Sequence, residues 1–162
     1  MHISFSLRQL GGFLLKQDPI KKAREIFLGD YNCTQAVFRT ILEEKGLYFN
    51  QAPIVAAGFG GGISRRGEMC GALTGAIMAI GVLQGQKYNE PGEHRNYTYK
   101  STGELIEKFK AIHKSPICND LVGFDVRDPV ARQKGNDEGV FKTICPKYVE
   151  DAVKIVLEMF PD

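Results

Sequence analysis

The sequence predicts an all-α single domain, a bundle of about five helices with a glycine-rich central helix. Three observations carry this. Helix start and stop signals recur along the 162 residues, whereas runs with a strand period are short and weak, the clearest being 51–59. There is no internal repeat, no low-complexity tract and no composition shift that would divide the chain.

The first helix starts at Asp18-Pro19, an N-cap followed by a first-turn proline, carries Ile20, Ala23, Ile26 and Phe27 on one face, and stops at Gly29. Asn32-Cys33 opens the second, whose period runs through Ala36, Val37, Thr40, Ile41 and Glu44 toward Gly46. The third is the uncharged stretch after Glu68, EMCGALTGAIMAIGVLQG. Ser101 and Glu104 have capping-box spacing ahead of Leu105, Ile106, Phe109 and Ile112, which predicts a fourth helix there and a long loop over 85–100. The last begins at Cys145-Pro146, with Cys145 as N-cap, and continues through Val149, Val153, Val156 and Leu157 to Met159. Short turns fill 115–136, including one capped by Asp128-Pro129, and the glycine run 58–62 is the tightest linker.

Composition removes several function classes. With 21 Lys+Arg against 19 Asp+Glu the net charge is +2, too balanced for nucleic acid or an anionic membrane as the main partner. No segment supplies the roughly 20 apolar residues of a membrane span. The amino terminus MHISFSLRQLGGFLLK interrupts its apolar residues with Arg8 and lacks a small-residue cleavage site, so it does not read as a secretory signal. The expected location is the cytoplasm, where thiols stay reduced.

The four cysteines, Cys33, Cys70, Cys118 and Cys145, are spaced C-x36-C-x47-C-x26-C. This excludes the CxxC pairs of zinc ribbons and the CxxCH of covalent haem attachment. Their places on the elements say more than their spacing. Cys33, Cys70 and Cys145 fall at helix starts, and Cys118 follows Pro116 where a short turn opens. Unpaired N–H groups and the positive helix end stabilise an anion there, which predicts lowered thiol pKa values and thiolates able to attack or to ligate metal.

Around Cys70, Gly71, Gly75 and Gly81 each cost about 1 kcal/mol relative to alanine inside a helix, a cost that implies close approach by another helix or a cofactor, within the chain or across a homodimer. The run 58–62 with Ser64, Arg65 and Arg66 lacks the GK[ST] ending of a phosphate loop and reads as a turn delivering Cys70, its arginines available to thiolates. His94 and His113 read as surface residues, His113 favouring the last turn of its helix, and Asp120 and Asp125 as caps near Cys118.

Tyr31-Asn32-Cys33, the glycines of 58–62, Cys70-Gly71-Ala72 with Gly75, Cys118 ahead of Leu121, Gly123 and Asp125, and Cys145 before a terminal amphipathic helix form an ordered pattern over 21–159. The pattern resembles the redox-active proteins named for a C_GCAxxG_C_C cysteine motif, with Met69 where the motif shows glycine. The resemblance implies redox activity through the cysteines. It also implies similarity to the non-haem part of split-Soret cytochromes, where an iron–sulfur centre has been associated with the cysteine region; it names no substrate.

Three readings of Cys33, Cys70, Cys118 and Cys145 follow. In the first they are catalytic thiols of an oxidoreductase, with Cys70 attacking and another resolving. In the second they ligate an iron–sulfur cluster for electron transfer with an unidentified redox partner. In the third, ranked last, they hold a structural zinc.

Overall fold

The computed structural model describes residues 16–162, so the reading of the amino terminus as non-secretory lies outside the described residues. The domain is all-α, and the only extended pairing among the described residues is an isolated antiparallel bridge between Met69 and Ile117. Five helices are ten residues or longer: α1 (Pro19–Leu28), α2 (Cys33–Glu44), α5 (Gly71–Gly85), α6 (Pro91–His113) and α10 (Cys145–Met159). Shorter pieces connect them: α3 (Ala52–Ala56), α4 (Gly60–Ile63), α7 (Cys118–Val122), α8 (Pro129–Asp137) and α9 (Val140–Thr143). No helix among the described residues is long and apolar enough to cross a membrane.

Caps read from the sequence form where side-chain oxygens can reach free N–H groups. Asp18 accepts from Ile20 N–H and Asp128 from Val130 N–H, each ahead of a first-turn proline. Asn32 and Gln35 make a reciprocal capping box at the start of α2.

The expected cap at Ser101 does not exist, and residues 91–100 are helix, not loop. The Glu90 carboxylate accepts from Gly92 N–H at 3.0 Å and Glu93 N–H at 2.8 Å, so α6 starts ten residues earlier. Ser101 Oγ instead accepts from Gln84 Nε2 at 2.7 Å, joining α6 to α5. The weak strand signal at 51–59 resolves as α3 and a 3-10 turn (Ala57–Phe59), because Pro53 favours a first helical turn.

α5 lies at the centre, buried against α2, α6 and α10, and α1 closes the bundle against α2 and α10. Val37 and Ile41 from α2, Leu73 and Ile80 from α5, and Val149, Val153 and Val156 from α10 are all fully buried there. A second, smaller cluster holds Cys118, Val122 and Val126, with Phe124, Val140, Phe141 and Cys145 packed against it.

Two of the α5 glycines meet α2 at contact distance. A Cβ on Gly75 would lie 2.5 Å from Thr34 O, and one on Gly71 would lie 2.2 Å from Cys33 Sγ. The Thr34 and Thr74 hydroxyls face each other at 3.0 Å across this crossing, both buried. Gly81 does not share this role, since a Cβ there meets nothing within 4 Å.

His113 departs from its surface reading. Its side chain is 7% exposed, its ring packs at a tilt on Phe109 and edge-on against Tyr148, and its Nε2 lies 2.9 Å from Asp151 Oδ2, tying α6 to α10. His94 Nε2 bonds to Gly81 O at 2.8 Å and has no part in a site.

The glycines give opposite expectations in denaturant unfolding. Gly75→Ala loses about 1–3 kcal/mol through overpacking against α2, whereas Gly81→Ala gains about 0.5–1 kcal/mol from helix propensity alone.

Candidate functional site: a cavity lined by four cysteines

All four cysteines stand at helix amino termini. Cys33 is the first residue of α2, Cys118 of α7 and Cys145 of α10, while Cys70 is the N-cap of α5; Ile144, not Cys145, caps α10. The structure brings all four onto the wall of one cavity of about 520 Å³, between the main core and the smaller cluster. All four are free thiols.

The segments are tied together through backbone. Cys70 N–H donates to Pro116 O at 2.8 Å and Cys118 N–H to Glu68 O at 2.6 Å, on either side of the Met69–Ile117 bridge. Asn119 locks the turn after Cys118, accepting from Val126 N–H at 2.9 Å and donating to Asp125 at 3.2 Å. Asp125 is gripped by Arg127, whose hydrogen bonds hold its carboxyl far below the usual range, while Asp120 accepts from Ser115 Oγ at 2.6 Å. Neither aspartate lines the cavity, and each serves its local turn. Tyr148, one turn beyond Cys145, lines the cavity and donates its hydroxyl to Leu121 O at 2.9 Å.

The glycine run adopts a conformation the sequence did not announce. Gly61, Gly62, Ile63, Ser64 and Arg65 all have φ between 51° and 66°, a single left-handed turn. Such a conformation costs an L-residue about 1–2 kcal/mol, and three of the five are not glycine. The turn brings Gly62 so close to Cys118 that a Cβ would lie 2.6 Å from the Cys118 Cβ. It also places Gly61 so that its N–H, with the backbone and hydroxyl of Thr34, favours the charged form of the Cys33 thiol. It is a rigid support for two cysteines, not a phosphate loop.

The thiols do not behave as their helix positions predict. Burial pushes the Cys33 thiol up, against the backbone donors that pull it down. Burial and then the neighbouring Cys33 and Cys118 push Cys70 well up, opposed by N–H groups of Ala72 and Leu73. Burial and Cys33 raise Cys118 to about 11, and burial with Cys33 and Cys118 raises Cys145 to about 12. Backbone donors pull Cys33 and Cys70 down, but removal of the thiols from water, with neighbouring cysteines adding to it at Cys70, Cys118 and Cys145, outweighs them. Arg65 lines the cavity and Arg66 does not.

Among the described residues no group of three or more His, Cys, Asp or Glu is gathered closely enough to hold a single metal ion. Sequence reasoning missed the rest of the wall: Arg132, Gln133 and Asn136 from one face of α8, with Tyr148 and Phe141. The spacing 132, 133, 136 after the Asp128 cap was the available signal.

Two measurements follow. Ile63→Gly, at a left-handed and partly exposed position, leaves stability unchanged or raises it by about 1 kcal/mol, while Gly62→Ala costs about 2 kcal/mol or more by overpacking against Cys118, both read by thermal unfolding. Folded thiol pKa values lie above the ordinary 9.0, so the folded state retains protons that the unfolded chain loses. Their contribution is fully present below pH 9; the reduced, metal-free protein accordingly loses stability as pH rises from 9 toward 12.

Comparison with known proteins fits this arrangement. The chain is 29% identical over 150 residues, 88% of its length and 93% of the relative's, to an uncharacterized protein of Archaeoglobus fulgidus. No solved structure matches it. The family described as "Putative redox-active protein (C_GCAxxG_C_C)" matches residues 31–159, which include all four cysteines. Counted from Cys70, the motif's alanine is Gly71 and its second glycine Thr74, so the departures extend beyond Met69. Gly71 keeps the room that the Cys33 sulfur needs, and Thr74 supplies the hydroxyl facing Thr34. With that match over most of its length, the chain belongs to the C_GCAxxG_C_C family.

Proposed function

We propose that this is an electron-transfer protein in which Cys33, Cys70, Cys118 and Cys145 together hold an iron–sulfur cluster. One observation carries the reading: four thiols from four separate helix starts line the same cavity. Four cysteines are the ligand set of common clusters, and their spread around a volume suits a cluster better than a single ion.

The pKa directions argue the same way. Free thiols raised to about 11 and about 12 are protonated at neutral pH and make poor attacking groups. Ligation removes those protons, because a coordinating thiol is deprotonated outright. When bound, the cluster supplies one-electron transfer. The chain's own part is to fix the sulfurs and temper their charge. Gly61 N–H and the Thr34 hydroxyl stabilise the charged form of Cys33, and the N–H groups of Ala72 and Leu73 that of Cys70. Such donors raise a cluster's reduction potential. Ala72 and Leu121, with Val122 and Val126, keep water from the inner side.

A second reading, dithiol–disulfide cycling, is favoured by one contact. The Cys33 sulfur packs against the backbone of Gly71, next to Cys70, which makes Cys33 and Cys70 the pair for a disulfide.

Anaerobic purification with iron and acid-labile sulfide analysis tests the proposal. The expected result is iron and sulfide in equal amounts with absorbance near about 400 nm, and loss of both in Cys145→Ser. A colourless, metal-free protein that forms a Cys33–Cys70 disulfide on mild oxidation sinks the cluster reading.

A further inference from the structure

The cysteines account for only part of the cavity wall. The remainder carries Arg65, Arg132, Gln133 and Asn136, with Asn32, and these five are hydrogen-bond donors. Among the described residues no Asp, Glu, Lys or His lines the cavity, and the two guanidinium groups are the cations on its wall. Neither arginine has a carboxylate within ion-pair reach among the described residues; Arg132 donates one Nη1 hydrogen to Val126 O at 2.7 Å. Each guanidinium carries five donors, so both keep most of theirs.

From this we infer that the cavity is also a binding site for a small oxyanion, held between Arg65 and Arg132. About 520 Å³ falls within the usual range for small-ligand pockets, which is roughly 300–1,000 Å³. A planar fork of donors matches carboxylate and other oxyanions two bonds at a time.

The backbone adds its own argument, because Arg65 reaches the wall only through the left-handed turn, at an unfavourable φ of 63°. Strain of this kind persists where the surroundings require a residue in one place, as at ligand clamps. Arg132, Gln133 and Asn136 reach the wall together from α8, the Gln133 amide also donating to Asp137 Oδ1 at 2.8 Å. Beside the cysteines, such a ligand sits where a redox centre could reach it. The inference rests on the cavity wall and not on the identity of that centre.

The test is calorimetric titration of sulfate and of acetate, at constant ionic strength in chloride, into the full chain as purified anaerobically and again after metal removal. Amide and arginine side-chain NMR shifts of the metal-free sample report the location. Saturable binding is expected for at least one of the two anions in both samples, with shifts at Gly61, Arg65, Arg132 and Gln133. Arg65→Gln weakens it at least tenfold, as does Arg132→Gln where unfolding shows that variant folded. Arg66→Gln, which removes the same charge one residue away and off the wall, leaves it within twofold. Absence of saturation, equal weakening by Arg65→Gln and Arg66→Gln, or binding that disappears with the metal overturns the inference. Iron and sulfide analysis of the same samples reports separately on the cluster, so either idea can fail alone.

Discussion

The crossing of α2 and α5 is the constraint on which the rest of the molecule depends. Gly71 and Gly75 remove the Cβ atoms that would otherwise strike the Cys33 sulfur and Thr34 O, and the two helices settle into backbone contact. The buried Thr34 and Thr74 hydroxyls satisfy each other at that seam, so close approach leaves no orphan polar group. Because Cys33 and Cys70 begin these two helices, the same contact brings their sulfurs to one place. α10 packs on both helices and contributes Cys145, while the Met69–Ile117 bridge delivers Cys118. Packing and chemistry therefore share a single geometric cause.

Two electrostatic effects of opposite sign act on the sulfurs. Helix starts offer N–H donors and a positive potential worth about 0.3–1 kcal/mol at an exposed site, rising to about 2 kcal/mol when partly buried. Removing a thiolate from water and placing it beside others costs more, and the thiols rise to about 11 and about 12 at Cys118 and Cys145. The free site thus stores its protons until a cation or oxidation removes them. The helix ends then become useful, because they moderate a charge that something else has created.

The left-handed turn shows how far the backbone is pushed to complete this arrangement. Ile63 is β-branched and sits in a region that such residues almost never occupy, and no hydrophobic burial there explains it. Its neighbours explain it instead. Gly61 faces the Cys33 sulfur, Gly62 packs on Cys118, and Arg65 comes to the cavity wall.

Local signals were enough for the sequence to determine the all-α class, the Asp18, Asn32 and Asp128 caps, and the position of Cys33, Cys70 and Cys145 at helix starts, while Cys118 read only as opening a short turn. Each of these depends on side chains within a turn or so of the backbone they serve. The start of α6 was hidden because glutamate at position 90 does a job usually done by Ser, Thr, Asp or Asn, while Ser101 and Glu104 imitated a cap inside the helix. Only the tertiary structure decided that four distant cysteines share one cavity, that Gly75 is in contact and Gly81 is not, and that the thiols are raised. Burial, mutual repulsion and close approach are properties of segments far apart in the chain, and no periodicity along it records them.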